Sequence, residues 1–124
     1  MQKKILIIED NKSDAQLIQE CFKYNGFDVD VALTGEDGFK KAILMKPDLI
    51  TLDLILPDIS GYDLCSKLKK EPSLSKTIII IVSIKDNLED IQKGFSVGAD
   101  DYVIKPPAPE FLAKKVKLYL GARE

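Results

Sequence analysis

Asp53 stands inside "LITLDLILPDISG", residues 49–61, where an acidic side chain interrupts one of the most apolar runs in the chain before Pro57 and Gly61 close it. Three other apolar runs end in the same way. "KILII" runs into Glu9 and Asp10, "TIIIIV" into Ser83, and "DYVI" into Lys105, which Pro106 follows. If these ends lie together, Glu9, Asp10 and Asp53 put three negative charges in one place, and Lys105 offsets only one of them. A bound divalent cation is the natural way to neutralise the rest, since one such ion plus Lys105 balances the cluster. The chain contains no histidine, so zinc sites and histidine-base catalysis have little to work with. An all-oxygen donor set favours Mg²⁺ or Mn²⁺ over Zn²⁺.

The elements that must position these residues follow from hydrophobic periodicity. "KILII", "DVDVAL", "DLITLDL", "TIIIIVS" and "DYVIK" are short, apolar and β-branched, which predicts strands. Between and after them, "SDAQLIQECFKYN", "GEDGFKKAILM", "GYDLCSKLKKE", "NLEDIQKGFSV" and "PEFLAKKVKLYL" carry helical spacing. Ser13, Thr34, Ser60 and Asn87 are candidate helix caps, Gly26 sits past the first helix, and Pro109 suits a first helical turn. Strict alternation with short connections calls for a parallel sheet with helices on both faces, a three-layer α/β (βα)5 sandwich. "KILII" and "TIIIIV" are apolar on both faces and belong at the centre; "DVDVAL" alternates and "DYVIK" is short, so both belong at edges. An edge second strand indicates the flavodoxin-like order 2-1-3-4-5. In that order ligands sit outside the carboxyl ends, at the crevice where the chain switches direction. Glu9, Asp10, Asp53, Ser83 and Lys105 all fall on that rim.

Composition bounds the rest. A chain of 124 residues, 45% hydrophobic and 31% charged, is expected to form a single domain over residues 1–124 with a real core. The formal charge of −2 and the lack of a basic stripe argue against direct nucleic-acid binding. No apolar stretch is long enough to span a bilayer, and "MQKKILIIED" turns acidic too early for a secretory signal, so a cytoplasmic location is expected. Cys21 and Cys65 lack the spacing of a metal or redox motif and are read as reduced, core-facing residues.

Taken singly, each rim residue has an ordinary reading: Glu9 and Asp10 as helix caps, Asp53 as a solvent-facing strand end, Ser83 as a turn hydroxyl, Lys105 as a solvated lysine. Pro106 limits the backbone of Lys105 and permits a cis bond. In order, "IIEDN", "LDLILPDISG", "IVS" and "GADDYVIKP" resemble the receiver domains of two-component response regulators, and the resemblance runs from Lys4 to Leu120. It implies that Asp53 is the phosphoacceptor. It also implies that Glu9, Asp10, the Asp53 carboxylate and the Ile55 carbonyl hold Mg²⁺, or Mn²⁺ in its place. Lys105, the Ser83 hydroxyl and the Ile84 N–H match the groups that bind the phosphoryl oxygens, and Tyr102 matches the aromatic switch position.

The implied function is to take a phosphoryl group from a sensor histidine kinase or phosphotransfer protein. The domain is then a signalling switch rather than an enzyme, although it assists its own phosphotransfer. Its output would pass to a domain or protein through the fourth helix, fifth strand and fifth helix, with homodimer formation open. Ile84 stands where the family has a small residue, and Pro107 where an aromatic is common. Ile84 keeps a second reading open, that of an unphosphorylated protein-interaction module with a receiver fold. A haloacid dehalogenase-like phosphatase would need an Asp at the position of Ile55, and a flavodoxin would need a hydroxyl-rich loop where "EDNKSD" stands. The chain stops at "GARE", and whether an output domain follows is open.

Overall fold

The computed structural model describes residues 2–121. Five strands, β1 (Lys4–Ile8), β2 (Asp28–Ala32), β3 (Leu49–Leu52), β4 (Ile78–Ser83) and β5 (Asp101–Ile104), alternate with five helices. The helices are α1 (Lys12–Tyr24), α2 (Gly35–Met45), α3 (Gly61–Lys70), α4 (Leu88–Ser96) and α5 (Pro109–Leu120), and a 3₁₀ turn spans Pro72–Leu74. The sheet is parallel throughout in the order β2-β1-β3-β4-β5, with β2 and β5 at the edges, as the hydrophobic patterns predict.

Because side chains alternate along a strand, the sheet divides the core in two. Leu6, Ile8, Ile50, Leu52, Ile79 and Ile81 pack with Ala42, Leu64, Cys65 and Leu68, the helical residues of α2 and α3. Ile5, Ile7, Leu49, Ile80 and Val82 pack on the other face with Ala15, Ile18 and Phe22 of α1 and Leu112 and Val116 of α5. Apolar residues on both faces of β1, β3 and β4 thus follow from their central places. Both cysteines are free; Cys65 is buried and Cys21 half-buried.

One cap differs from expectation. The Asn11 side chain, not that of Ser13, accepts the Asp14 N–H at 2.9 Å, and α1 starts at Lys12. Two polar residues compete for one cap, and the turn after β1 leaves Asn11 in extended conformation while Ser13 is already helical. Thr34, Ser60 and Asn87 cap α2, α3 and α4 as expected, and Gly26 takes a left-handed φ of 89° after α1.

Thr51 of β3 is buried, and its hydroxyl has no hydrogen-bond partner among the described residues. A desolvated hydroxyl without a partner costs stability that an apolar group of the same shape does not. Thr51→Val is therefore expected to stabilise the domain by roughly 1 kcal/mol in urea unfolding. An unchanged midpoint would mean that the hydroxyl is satisfied in solution.

Candidate functional site

The carboxyl ends of β1, β3, β4 and β5 bring the rim residues together. Backbone bonds continue the ladders one residue past the strands: Glu9 N–H donates to Ala32 C=O and Asp53 N–H to Ile8 C=O, each at 3.0 Å. Both side chains are thereby drawn inward; Asp53 is only 5% exposed, whereas Asp10 stays exposed. One carboxylate oxygen from each of Glu9, Asp10 and Asp53 lies within 4.8 Å of the others.

The loop after Asp53 is held from two sides. Gly61, at the start of α3, donates its N–H to Leu54 C=O at 2.9 Å, and a Cβ on it would collide with the Leu54 Cα and the Asp53 carbonyl oxygen. Only glycine lets the helix end approach so closely. On the other side both Asp58 oxygens accept from the start of α2, from Gly35 N–H and Glu36 N–H at 2.8 Å each. These backbone hydrogen bonds favour the ionised form and hold the Asp58 carboxyl below its usual range. Of Ile55, the backbone N–H donates to Asp53 Oδ1 at 3.2 Å, and the side chain is exposed.

Lys105 reaches into this cluster from β5. Its backbone N–H donates to Ser83 C=O at 2.9 Å, and the Lys105–Pro106 peptide is cis. The Nζ lies 2.6 Å from Glu9 Oε1, 3.0 Å from Asp53 Oδ2 and 3.0 Å from Asp14 Oδ2. Burial by itself would lower the lysine, but hydrogen bonds to Glu9, Asp53 and Asp14 outweigh it and hold the ammonium above its ordinary range. Glu9 moves up despite its ion pair. Burial is the chief cause, the Lys105 bond opposes it, and the Asp53 charge adds to it, so the Glu9 carboxyl is pushed up to about 7. A buried pocket with more carboxylates than cations is what a hard divalent ion relieves, and its donors are all oxygens, so the residues fit Mg²⁺ or Mn²⁺.

This fit has a measurable consequence. The cation competes with the Glu9 proton, so Mg²⁺ binding should weaken as pH falls through about 7. For one linked proton the apparent Kd should rise about tenfold between pH 8 and pH 6. Amide shifts after β1 and β3 in a magnesium titration read it, and a Kd flat across that range would contradict the placement of Glu9.

Ser83 is fully buried, and its hydroxyl oxygen accepts the Lys85 N–H at 3.3 Å. The Tyr102 ring lies inward against the α2–α3 side of the core, and its hydroxyl donates to Lys85 C=O at 2.6 Å. Burial, with Tyr62 and Asp90 nearby, pushes that phenol up to about 12. Gly94 of α4 leaves the room: a Cβ there would stand 2.9 Å from Ile81 Cδ1 and 3.0 Å from Tyr102 Cδ2. Ser83 and Tyr102 thus meet at the same loop, through Lys85.

Ile84 is 64% exposed and, with Asp14, Leu17, Ile18, Lys105, Pro106 and Pro107, lines a cavity of about 250 Å³. The two departures from the family pattern, Ile84 and Pro107, therefore line the same cavity. Sequence reasoning missed Asp14, Asp58 and Gly94. The one available signal was the position of Asp14, four residues past Asp10 in the first turn of α1.

Known proteins are similar to this chain over nearly all of its length. The family model described as the response regulator receiver domain matches residues 5–117. The alkaline phosphatase synthesis transcriptional regulatory protein PhoP of Bacillus subtilis is 38% identical over 124 residues, covering all of this chain and 51% of its own length. The response regulator ArlR of Staphylococcus saprophyticus is 37% identical over 117 residues, covering 94% of this chain and 52% of its own. This chain thus spans about half the length of the curated relatives it matches. Among solved structures, the BeF3-activated DrrB receiver domain superposes with a TM-score of 0.90 at 35% identity, covering 98% of this chain and 99% of that one. The response regulator DrrB of Thermotoga maritima, an OmpR/PhoB homologue, gives 0.89 at 34% identity, covering all of this chain and 55% of its own.

Proposed function

This chain belongs to the response regulator receiver domain family, and from that premise we propose that Asp53 accepts a phosphoryl group from a phosphohistidine on a sensor kinase or phosphotransfer protein. The observation that carries the reading is the burial of Asp53 at the strand ends, its carboxylate paired with the Lys105 ammonium and within 4.8 Å of carboxylate oxygens of Glu9 and Asp10. A carboxylate attacks phosphorus only when its own charge and that of the incoming group are screened. Here Lys105 supplies one positive charge directly. Glu9, Asp10, Asp53 and the Ile55 carbonyl are the groups that would hold Mg²⁺ or Mn²⁺, which when bound supplies the remaining screening.

The product is an acyl phosphate with roughly one more negative charge than the carboxylate and new acceptor oxygens. On this reading Lys105 and the Ser83 hydroxyl bind them, with the Ile84 N–H as a further donor. Ser83 moving toward the phosphoryl group changes what the Lys85 N–H and C=O can hold, and so the seat of Tyr102. The proposed readout is the α4, β5 and α5 surface, whose elements carry exposed Leu88, Phe95, Ile104 and Tyr119. That surface would contact an output domain, a downstream protein or a second copy, without direct nucleic-acid contact by this domain. We read residues 1–124 as one such domain, a cytoplasmic switch that assists its own phosphotransfer. None of the described helices is long and apolar enough to cross a membrane.

The test is attachment of beryllofluoride, an acyl-phosphate mimic, in the presence of Mg²⁺. Binding that perturbs amides after β1, β3 and β4 is expected, and no binding would favour the unphosphorylated interaction module.

Ile84 modulates this reaction rather than deciding it. Its branched side chain lines the cavity that Lys105 borders, and we read it as cover against small donors and water. Ile84→Ala should accelerate labelling by acetyl phosphate and loss of the phosphoryl group, each by several-fold and at most about 10². Unchanged rates in both directions would remove Ile84 as the gate.

A further inference from the structure

An ammonium has three N–H donors, and Lys105 spends them on three carboxylates, of which Asp14 has no part in the chemistry above. We propose that Asp14 is the exchangeable partner of Lys105, a positioning residue that holds the ammonium beside Asp53 and releases it to the group bound there. The inference rests on the phosphoacceptor reading of Asp53.

The three partners differ in what release would cost. The side chains of Glu9 and Asp53 are 3% and 6% exposed, so losing the lysine would leave a buried charge uncompensated. Asp14 is 44% exposed at its side chain, and water replaces the lysine there at little cost. A cation held by Glu9 offsets that carboxylate's charge without giving a hydrogen-bond donor to the oxygen that Lys105 holds. When new acceptor oxygens arrive at Asp53, the bond to Asp14 is therefore the one given up.

Asp14 is built to wait in this place. Its own N–H is capped by Asn11 Oδ1 at 2.9 Å, and the Asn11 N–H donates to Glu9 Oε2 at 3.1 Å, which ties the first turn of α1 to the same cluster. Asp14 also lines the cavity with Leu17, Ile84 and Pro106, and its side chain is half-exposed, so on release it has solvent and open space beside it. Until then it competes for the lysine and adds a negative charge beside an anionic ligand. Both effects work against the occupied state, and both vanish when the charge is removed from an otherwise similar side chain.

Beryllofluoride titrations with Mg²⁺, on the wild-type chain and on Asp14→Asn, test this. The variant should bind beryllofluoride roughly threefold more tightly, the scale of an exposed ion pair. In the wild type, the Asp14 carboxyl carbon resonance, identified by its absence from the variant, should shift when beryllofluoride binds. A role confined to the start of α1 would lower the melting temperature of the variant without tightening the ligand. Equal or weaker binding by the variant, or an Asp14 resonance that stays in place, overturns the exchange while leaving Asp53 as phosphoacceptor. Failure of the wild type itself to bind overturns both.

Discussion

Asp53→Asn is expected to abolish labelling by a phosphohistidine donor and by acetyl phosphate, and to abolish attachment of beryllofluoride, while making the metal-free domain more stable. The loss follows from the nucleophile. Glu9, Asp10 and Asp14 are carboxylates too, but Asp53 is the one that follows the central strand β3, buried and paired with the ammonium. The gain follows from charge. Asp53 repels Glu9, whose carboxyl is pushed up to about 7 by burial first and by Asp53 after the opposing Lys105 bond. Removing that charge should bring Glu9 down part of the way, with burial keeping it above the ordinary carboxyl range. Proton titration of the Glu9 carboxyl by NMR, beside urea unfolding at neutral pH, measures both effects. Labelling that survives in the Asn variant would mean that another carboxylate is the acceptor.

Lys105→Met should produce the second large effect, and its two halves have opposite signs. Deleting a charged donor aimed at a developing negative charge costs about 10²–10³ in rate, so phosphotransfer from a matched donor should fall by that order. Magnesium affinity should rise, because the ammonium lies 2.6 Å from Glu9 Oε1 and 3.0 Å from Asp53 Oδ2 and its charge repels a cation held by the same carboxylates. Slow labelling together with tighter Mg²⁺ separates this variant from a misfolded one, in which both would be lost. Unchanged labelling would show that the lysine stabilises the cluster and takes no part in the transfer.

Much of this site was legible in the sequence because a parallel α/β sheet has few solutions. Apolar runs on both faces of β1, β3 and β4 demand central places, and right-handed crossovers of short length then leave one strand order. Once the order is known, the residue at or just past the end of each strand must lie on one rim, which is why Glu9, Asp53, Ser83 and Lys105 could be grouped from the sequence. The family resemblance supplied their roles, and Ile84 and Pro107 stood out as departures for the same reason.

What periodicity could not carry were contacts between side chains far apart in the chain. Asp14 and Lys105 are separated by 91 residues, and the place of Asp14 in a first helical turn after Asp10 does not by itself point to a lysine so far along the chain. The preference of α1 for Asn11 over Ser13 as its cap depended on the turn after β1, where both residues were acceptable by type. Gly94 reads as a weak point in a helix until the Tyr102 ring is seen filling the space a Cβ would take. Thr51 suits a strand, yet its neighbours leave its hydroxyl without a partner. Residue patterns repeated along each element were enough for the fold, the rim and the kinds of group on it. Tertiary structure alone decided which carboxylates share the lysine, how far each is withdrawn from water and which way Tyr102 turns, because those depend on distances and burial that arise only when separate elements close on one another.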